Sequence, residues 1–192
     1  MLSAIRTFSL QDLTVEQQLD AFDKDSIDVG FSRPLPDTSR HGLAAELIYM
    51  DTLAVVLSKE HRLAYRKALA LHELAAEPFV LFERSEAAGL FDQIIGACQR
   101  EHFSPHIVSQ PVLMQTLLTE VASGLGVAVA PRCITSLNRT GCVFIPIKRQ
   151  KLLMPIELHY PDTEPRPTVA AFVELTRNLK HEIQQLVSRQ ME

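Results

Sequence analysis

Hydropathy periodicity along the 192 residues points to an α/β protein on three counts. First, Leu113, Met114, Leu117, Leu118, Val121, Ala122 and Leu125 recur on one helical face, the spacing of an amphipathic helix on a core. Gly124 and Gly126 end that helix, and the apolar run Val127 to Ala130, closed by Pro131, reads as a buried strand. Second, short alternating runs (Ile27, Val29, Phe31; Val143, Ile145, Ile147; Ile156, Leu158, Tyr160) interleave with helical stretches, the mark of an α/β fold. Third, Phe172, Leu175, Leu179, Ile183 and Leu186 recur at spacings of three and four, which predicts a long final helix over about 168–189.

In chain order, Ile5 to Leu10 alternates loosely and fits a strand. Thr14 and Gln17 have capping-box form, with Val15, Leu19 and Phe22 marking the buried face of a two-turn helix. The strand through Ile27, Val29 and Phe31 follows, ending at Ser32, Arg33 and Pro34. Leu43 to Tyr49 and Leu53 to Leu57 read as two strands joined at Met50, Asp51 and Thr52. A helix is expected near Leu69 to Ala76, broken before Pro78. Then come a buried strand over Phe79 to Phe82, a loop through Ala88, and a helix over Gly89 to Glu101 with Phe91, Ile94, Ile95 and Cys98 inward. A short strand near His106 to Val108 leads into the helix before the glycines.

Composition narrows the classes. With 46% hydrophobic residues the chain can bury a sizeable core, as one domain or two small lobes. No stretch reaches the ~18 consecutive apolar residues of a membrane span, and Met1 to Leu10 holds no signal-like run. A cytoplasmic protein without a membrane partner is expected. Cys98, Cys133 and Cys142 are odd in number and lack ligand spacing, which argues against a disulfide framework or a zinc site. The formal net charge is −4, and the basic run is only Lys148 to Lys151. That is not the footprint of a DNA-contacting face.

"EVASGLGVAVAP", at 120–131, resembles the hallmark of the effector-binding domain of LysR-type transcriptional regulators. "QLDAFDKDSIDVGFSRP", "LAVVLSKEHRLA" and "LFDQIIGACQREHFSPHIV" fit the same family in order and spacing. The resemblance covers nearly the whole chain, and its wording is nearest to regulators of aromatic-compound catabolism. It implies a two-lobed fold like a type II periplasmic binding protein, with crossings near Ser58 to His61 and Lys151 to Pro155. The first lobe is then 1–59 plus 155–192, and the second 60–154. The family's winged helix-turn-helix has no counterpart here, nor have the strand and helix that open its first lobe. DNA would be reached only through a domain absent from this chain, and the first lobe is expected to be truncated at its N-terminus. The resemblance further implies a homo-oligomer and a small-molecule effector, with aromatic and dienoic acids as candidates.

Ser32 and Arg33 follow a strand's C-terminal end, where open α/β sheets bind ligands. Phe82, Glu83, Arg84 and Ser85 precede a helix opening near Gly89, a place that favours anions. By resemblance that loop faces Ser32, Arg33 and Thr52 across a cleft, with Met114 and Gln115 turned to the same space and Phe91 nearby. Plain structural roles compete on equal terms: a solvated Glu83–Arg84 pair, Ser85 as a helix cap, Met114 as core filler. Thr52 aligns where relatives sensing aromatic acids tend to carry arginine, so one anion anchor is lost and the effector is either neutral or held by Arg33 or Arg84.

No nucleophile motif, phosphate-cradling glycine loop or cofactor signature is visible. The expected function is therefore ligand sensing for transcription, with no catalytic residue, metal or cofactor. A solute-binding protein of the same fold is the alternative, and an enzyme on that scaffold the less favoured one.

Overall fold

The computed structural model describes residues 8–136, 141–149, 152–163 and 166–189. The expected opening strand lies partly outside these residues; Phe8, Ser9 and Leu10 are exposed and not in a strand. Helix α1 (Val15–Asp23) starts at the predicted capping box, with Thr14 N donating to Gln17 Oε1 at 2.9 Å and Gln17 N to Thr14 Oγ1 at 3.3 Å. Its Phe22 packs with Leu35 and Leu43, and Val15, Leu19 and Ile27 close the cluster. Strand β1 (Gly30–Ser32) is shorter than its alternation suggests.

The next strand organises the molecule. β2 runs unbroken from Leu43 to Ser58, where two strands were expected. Asp51, within the expected join, is fully buried and bonded in place: Thr52 N and the Arg33 guanidinium both donate to its carboxylate. A polar group satisfied within the strand needs no loop to carry it.

β2 belongs to two sheets. From Leu43 to Thr52 it pairs antiparallel with β7 (Leu153–Pro161), which carries β1 on its other edge. From Leu53 onward it pairs with β5 (Ala128–Pro131), and from Ala54 with β6 (Cys142–Pro146), both antiparallel. The change of partner falls between Thr52 and Leu53, ahead of the expected crossing at Ser58 to His61. The returning chain changes sheets at the start of β7; Lys151 lies outside the described residues.

The second sheet is extended by β3 (Pro78–Val80), joined through a parallel bridge of Phe79 to Val127, and by β4 (His106–Ser109), parallel to β3. The helix expected near Leu69 to Ala76 is a single 3-10 turn, Leu71–Leu74, because Leu69 is drawn into a bridge with Ile147. Helix α2 (Ala88–Arg100) buries Leu90, Ile94, Ala97 and Cys98 against one face of the sheet. Helix α3 (Met114–Ala122) buries Leu117, Leu118 and Val121 against the other.

Helix α4 (Pro167–Arg189) covers the first sheet with Val169 and Val173 on Ile48 and Leu158. Of the predicted stripe, Phe172 and Ile183 pack against this cluster, while Leu175, Leu179 and Leu186 are each more than a third exposed. The sheet-facing stripe is Val169, Val173 and Thr176, tied down by Arg177 Nε to Glu46 Oε2 at 2.7 Å. Helical spacing alone does not tell two such stripes apart.

Candidate functional site

Strand direction concentrates the interesting residues at one level of the molecule. β1 runs antiparallel to β7, from Gly30 opposite His159 to Ser32 opposite Glu157, so it ends toward the sheet junction. β5 runs from Ala128 opposite Val56 to Pro131 opposite Leu53, ending at the same junction from the other side. β3 is parallel to the segment entering β5, and β4 is parallel to β3, so both share that direction. Carboxyl ends of strands from both sheets therefore face the junction, the place where open α/β sheets hold ligands.

Ser32 and Arg33 leave the end of β1. Ser32 Oγ donates to Arg33 O at 2.7 Å and lies 3.4 Å from Nδ1 of His159. That imidazole is fully buried and its Nε2 lies 3.2 Å from Glu157. Burial pushes it below the ordinary histidine range, with Glu157 opposing. A sealed ring cannot reach a substrate, so the Ser32–His159–Glu157 row is a structural network. Arg33 reaches into the junction: Nη1 donates to Met154 O at 3.0 Å and Nη2 to Asp51 Oδ2 at 3.2 Å. The Arg33 side chain keeps 24% exposure while that of Asp51 has none. Thr52 is half-buried beside it and holds Asp51 Oδ1 through its own N–H at 2.8 Å.

Phe82, Glu83, Arg84 and Ser85 form the loop after β3. Leu81 N donates to Ser109 O and Glu83 N to Pro111 O, so this loop runs beside the one that opens α3 at Met114 and Gln115. The backbone thus brings 82–85 and 114–115 to one rim. Their side chains divide. Phe82 and Met114 are half-buried against the core, as is Phe91, whereas Ser85, Gly89 and Gln115 are exposed. Glu83 does not pair with Arg84. Arg84 forms a two-pronged bridge to Asp92 at 2.8 and 2.9 Å, more than half exposed on both sides. These bonds raise the guanidinium and lower the carboxyl relative to their ordinary values. Ser85 does not cap α2, whose N-cap is Ala87.

Five residues at the junction were not caught by the motifs. Asp51 receives the thiol of Cys133, which in turn is hydrogen-bonded to Tyr49. Cys133 sits on the 3-10 turn Arg132–Ser136 that follows β5, so the network spans both sheets. Burial first, then the charge of Asp51, pushes the Cys133 thiol up to about 12, while burial, then Cys133 and Asp51, push Tyr49 above its ordinary range. Arg132 feels the Asp51 charge, although burial lowers it. From α2, Gln93 Nε2 donates to Leu153 O at 3.0 Å, next to the Met154 carbonyl that takes Arg33. The available signal was Asp51 itself, a lone acid inside LIYMDTLAVVL, since such a residue is buried only when paired. Among the described residues, no group of three or more His, Cys, Asp or Glu could hold a metal ion.

Two sheets sharing one long strand, with strand ends meeting at their junction, define a two-lobed binding domain of the periplasmic-binding-protein type. Residues 7–180 match the family model for the LysR substrate binding domain, and the chain belongs to that family. It is 27% identical over 153 residues to the uncharacterized HTH-type transcriptional regulator YnfL of Escherichia coli K12, covering 79% of this chain and 50% of that protein. Full-length CbnR complexed with its target DNA superposes with a TM-score of 0.79 at 23% identity, over 90% of this chain and 60% of that one. The BenM effector binding domain with its effector benzoate gives 0.74 at 20% identity, over 88% and 77%. The chain spans about half the length of the curated relatives it matches.

Proposed function

We propose that this chain senses a small organic effector at the junction of its lobes and reports it to a DNA-binding domain outside this chain. The observation that carries the reading is the meeting of strand ends from both sheets around Arg33, Thr52 and the loops bearing Phe82 to Ser85 and Met114–Gln115. Gly89 and Phe91 flank that rim. The lobes we assign are the sheet of β1, β7 and early β2 with α1 and α4, and the sheet of β3 to β6 and late β2 with α2 and α3. An effector switches the protein only as far as it binds one lobe arrangement better than another. Aromatic and dienoic acids are the first candidates, supported by the benzoate bound in the BenM neighbour. Binding without catalysis, in the cytoplasm, suits a regulator of transcription. The exposed Leu175, Leu179 and Leu186 on α4 favour self-association, since contiguous apolar surface marks interfaces. The net charge of −4 puts DNA contact elsewhere.

A thermal-shift screen of aromatic acids, dienoic acids and amino acids tests the reading, because a ligand for the native state raises the melting temperature. Hits whose shift is abolished by substitutions at the junction are expected. A screen in which no compound shifts the transition counts against effector sensing. Sequence-specific, submicromolar retardation of operator DNA by this chain alone would overturn the division of labour.

A further inference from the structure

We propose that Asp51 determines the ligand specificity of the junction: it is an internal carboxylate docked on Arg33, which an anionic effector must displace. The inference rests on the effector-site reading and adds what that site selects against.

The argument begins with burial. Asp51 has no exposed surface, and a carboxylate so placed is stable only with charge and hydrogen-bond partners. It has them: Arg33 Nη2 at 3.2 Å, Thr52 N–H at 2.8 Å, and the Cys133 thiol. Arg33 is placed differently. Its side chain keeps 24% exposure, so it is within reach from outside, while its guanidinium holds Asp51 and the Met154 carbonyl. A guanidinium has five N–H donors in a planar fork, and its preferred partner is a carboxylate taken by two prongs. Here one bond goes to Asp51 and one to a carbonyl. An incoming carboxylate offers Arg33 the two-pronged geometry that Asp51 does not use. To take it, however, the effector must displace Asp51 from Arg33, and the displaced carboxylate stays buried close by.

The second arginine of the rim does not relieve this. Arg84 is engaged by both oxygens of Asp92, so a carboxylate arriving there meets an occupied fork. Both arginines that sequence reasoning offered as anion anchors thus have acids of the same chain as partners. Asp51 is also the part of the site that touches both sheets, through Arg33 on β1's end and Cys133 beyond β5. Displacing it from Arg33 is therefore felt on each side of the junction.

Asp51→Asn separates charge from shape, since the amide keeps an oxygen for Thr52 N–H. The probes are benzoate and its uncharged isostere benzamide, titrated by calorimetry into this chain and its variants. The expected result is that D51N binds benzoate roughly tenfold or more tighter than the parent, the scale of a charged hydrogen bond gained, while benzamide changes little. Adding Arg33→Gln to D51N should abolish the gain. Equal changes for benzoate and benzamide, a weaker or unchanged benzoate affinity in D51N, or no benzoate binding to either protein overturns the proposal. Circular dichroism and urea midpoints establish that each variant is folded. Should D51N fail to fold, Asp51→Ser, smaller and uncharged, takes its place with the same expected and overturning results. Failure of the sensing reading shows separately. A screen hit with unchanged D51N selectivity sinks this proposal alone, and a D51N gain for benzoate without any screen hit sinks the sensing reading alone.

Discussion

Replacing Gly126 with alanine should cost far more stability than replacing Gly124, although the two are neighbours in one turn. A Cβ on Gly126 would stand 2.6 Å from the Pro78 carbonyl oxygen and 3.1 Å from its carbon. Those are backbone atoms of β3, and Pro78 O accepts Val127 N at 2.8 Å. Relief requires β3 to move off the segment entering β5. Overpacking of this kind costs about 1–3 kcal/mol, and weakening the cross-strand bond adds about 1 kcal/mol. Alanine returns roughly 0.4–1 kcal/mol by stiffening the unfolded chain. The net loss is about 2 kcal/mol. At Gly124 a Cβ meets nothing within 4 Å, and the penalty is the left-handed φ of +85°. That strain is about 1–2 kcal/mol for an L-residue, partly offset by the same entropy gain, leaving about 1 kcal/mol or less. Urea unfolding followed by circular dichroism reads both as shifts in midpoint at constant slope. A G126A protein within error of the parent, or G124A the more damaged of the two, would refute the packing argument.

Ile94→Ala removes a side chain that is 1% exposed in the second lobe's core, and should cost about 2–5 kcal/mol; a loss under about 1 kcal/mol in the same urea assay would mean the site collapses around the void. The three thiols should resist a disulfide reagent at mildly alkaline pH until the protein unfolds, since burial pushes Cys98 to about 11, Cys133 to about 12 and Cys142 upward; rapid native labelling of Cys98 or Cys133 contradicts this. Burial holds His159 below its ordinary value, so the unfolded chain binds the proton first as pH falls below about 6.5. Its contribution is whole above that pH and is lost on acidification, so His159→Gln should flatten stability against pH between about 7 and 5; an unchanged slope rejects it. Arg84→Ala should leave the urea midpoint nearly unmoved, because an exposed ion pair contributes little; a large shift would show that the loop depends on it.

Much of this protein was legible without coordinates because its strongest signals are local. The capping box at Thr14 and Gln17 needs four residues to recognise, and α1 starts where it says. Alternation and helical spacing placed β6, β7, α2, α3 and α4 within a few residues, since burial on one face imposes those periods wherever the chain packs. Gly124 and Gly126 were read together as a turn. The structure assigns them different duties, a left-handed backbone at one and close approach of β3 at the other. Neighbouring glycines look alike until the partner strand is in place.

Other features depend on contacts between distant residues. From the sequence, Met50, Asp51 and Thr52 are expected to join two strands. Only the arrival of Arg33, from 18 residues away, and of Cys133, from 82 away, lets that acid stay inside one continuous strand. The stripe of Phe172, Leu175, Leu179, Ile183 and Leu186 has the spacing of a core face, yet Phe172 and Ile183 alone of it pack on the cluster that Val169 and Val173 form with the sheet. Which residues turn inward is set by the surface they meet, here Ile48 and Leu158. The charge partners of Arg33 and Arg84 were equally beyond the sequence. Each arginine has several acids within reach of a flexible chain, and only the folded backbone decides which one it meets.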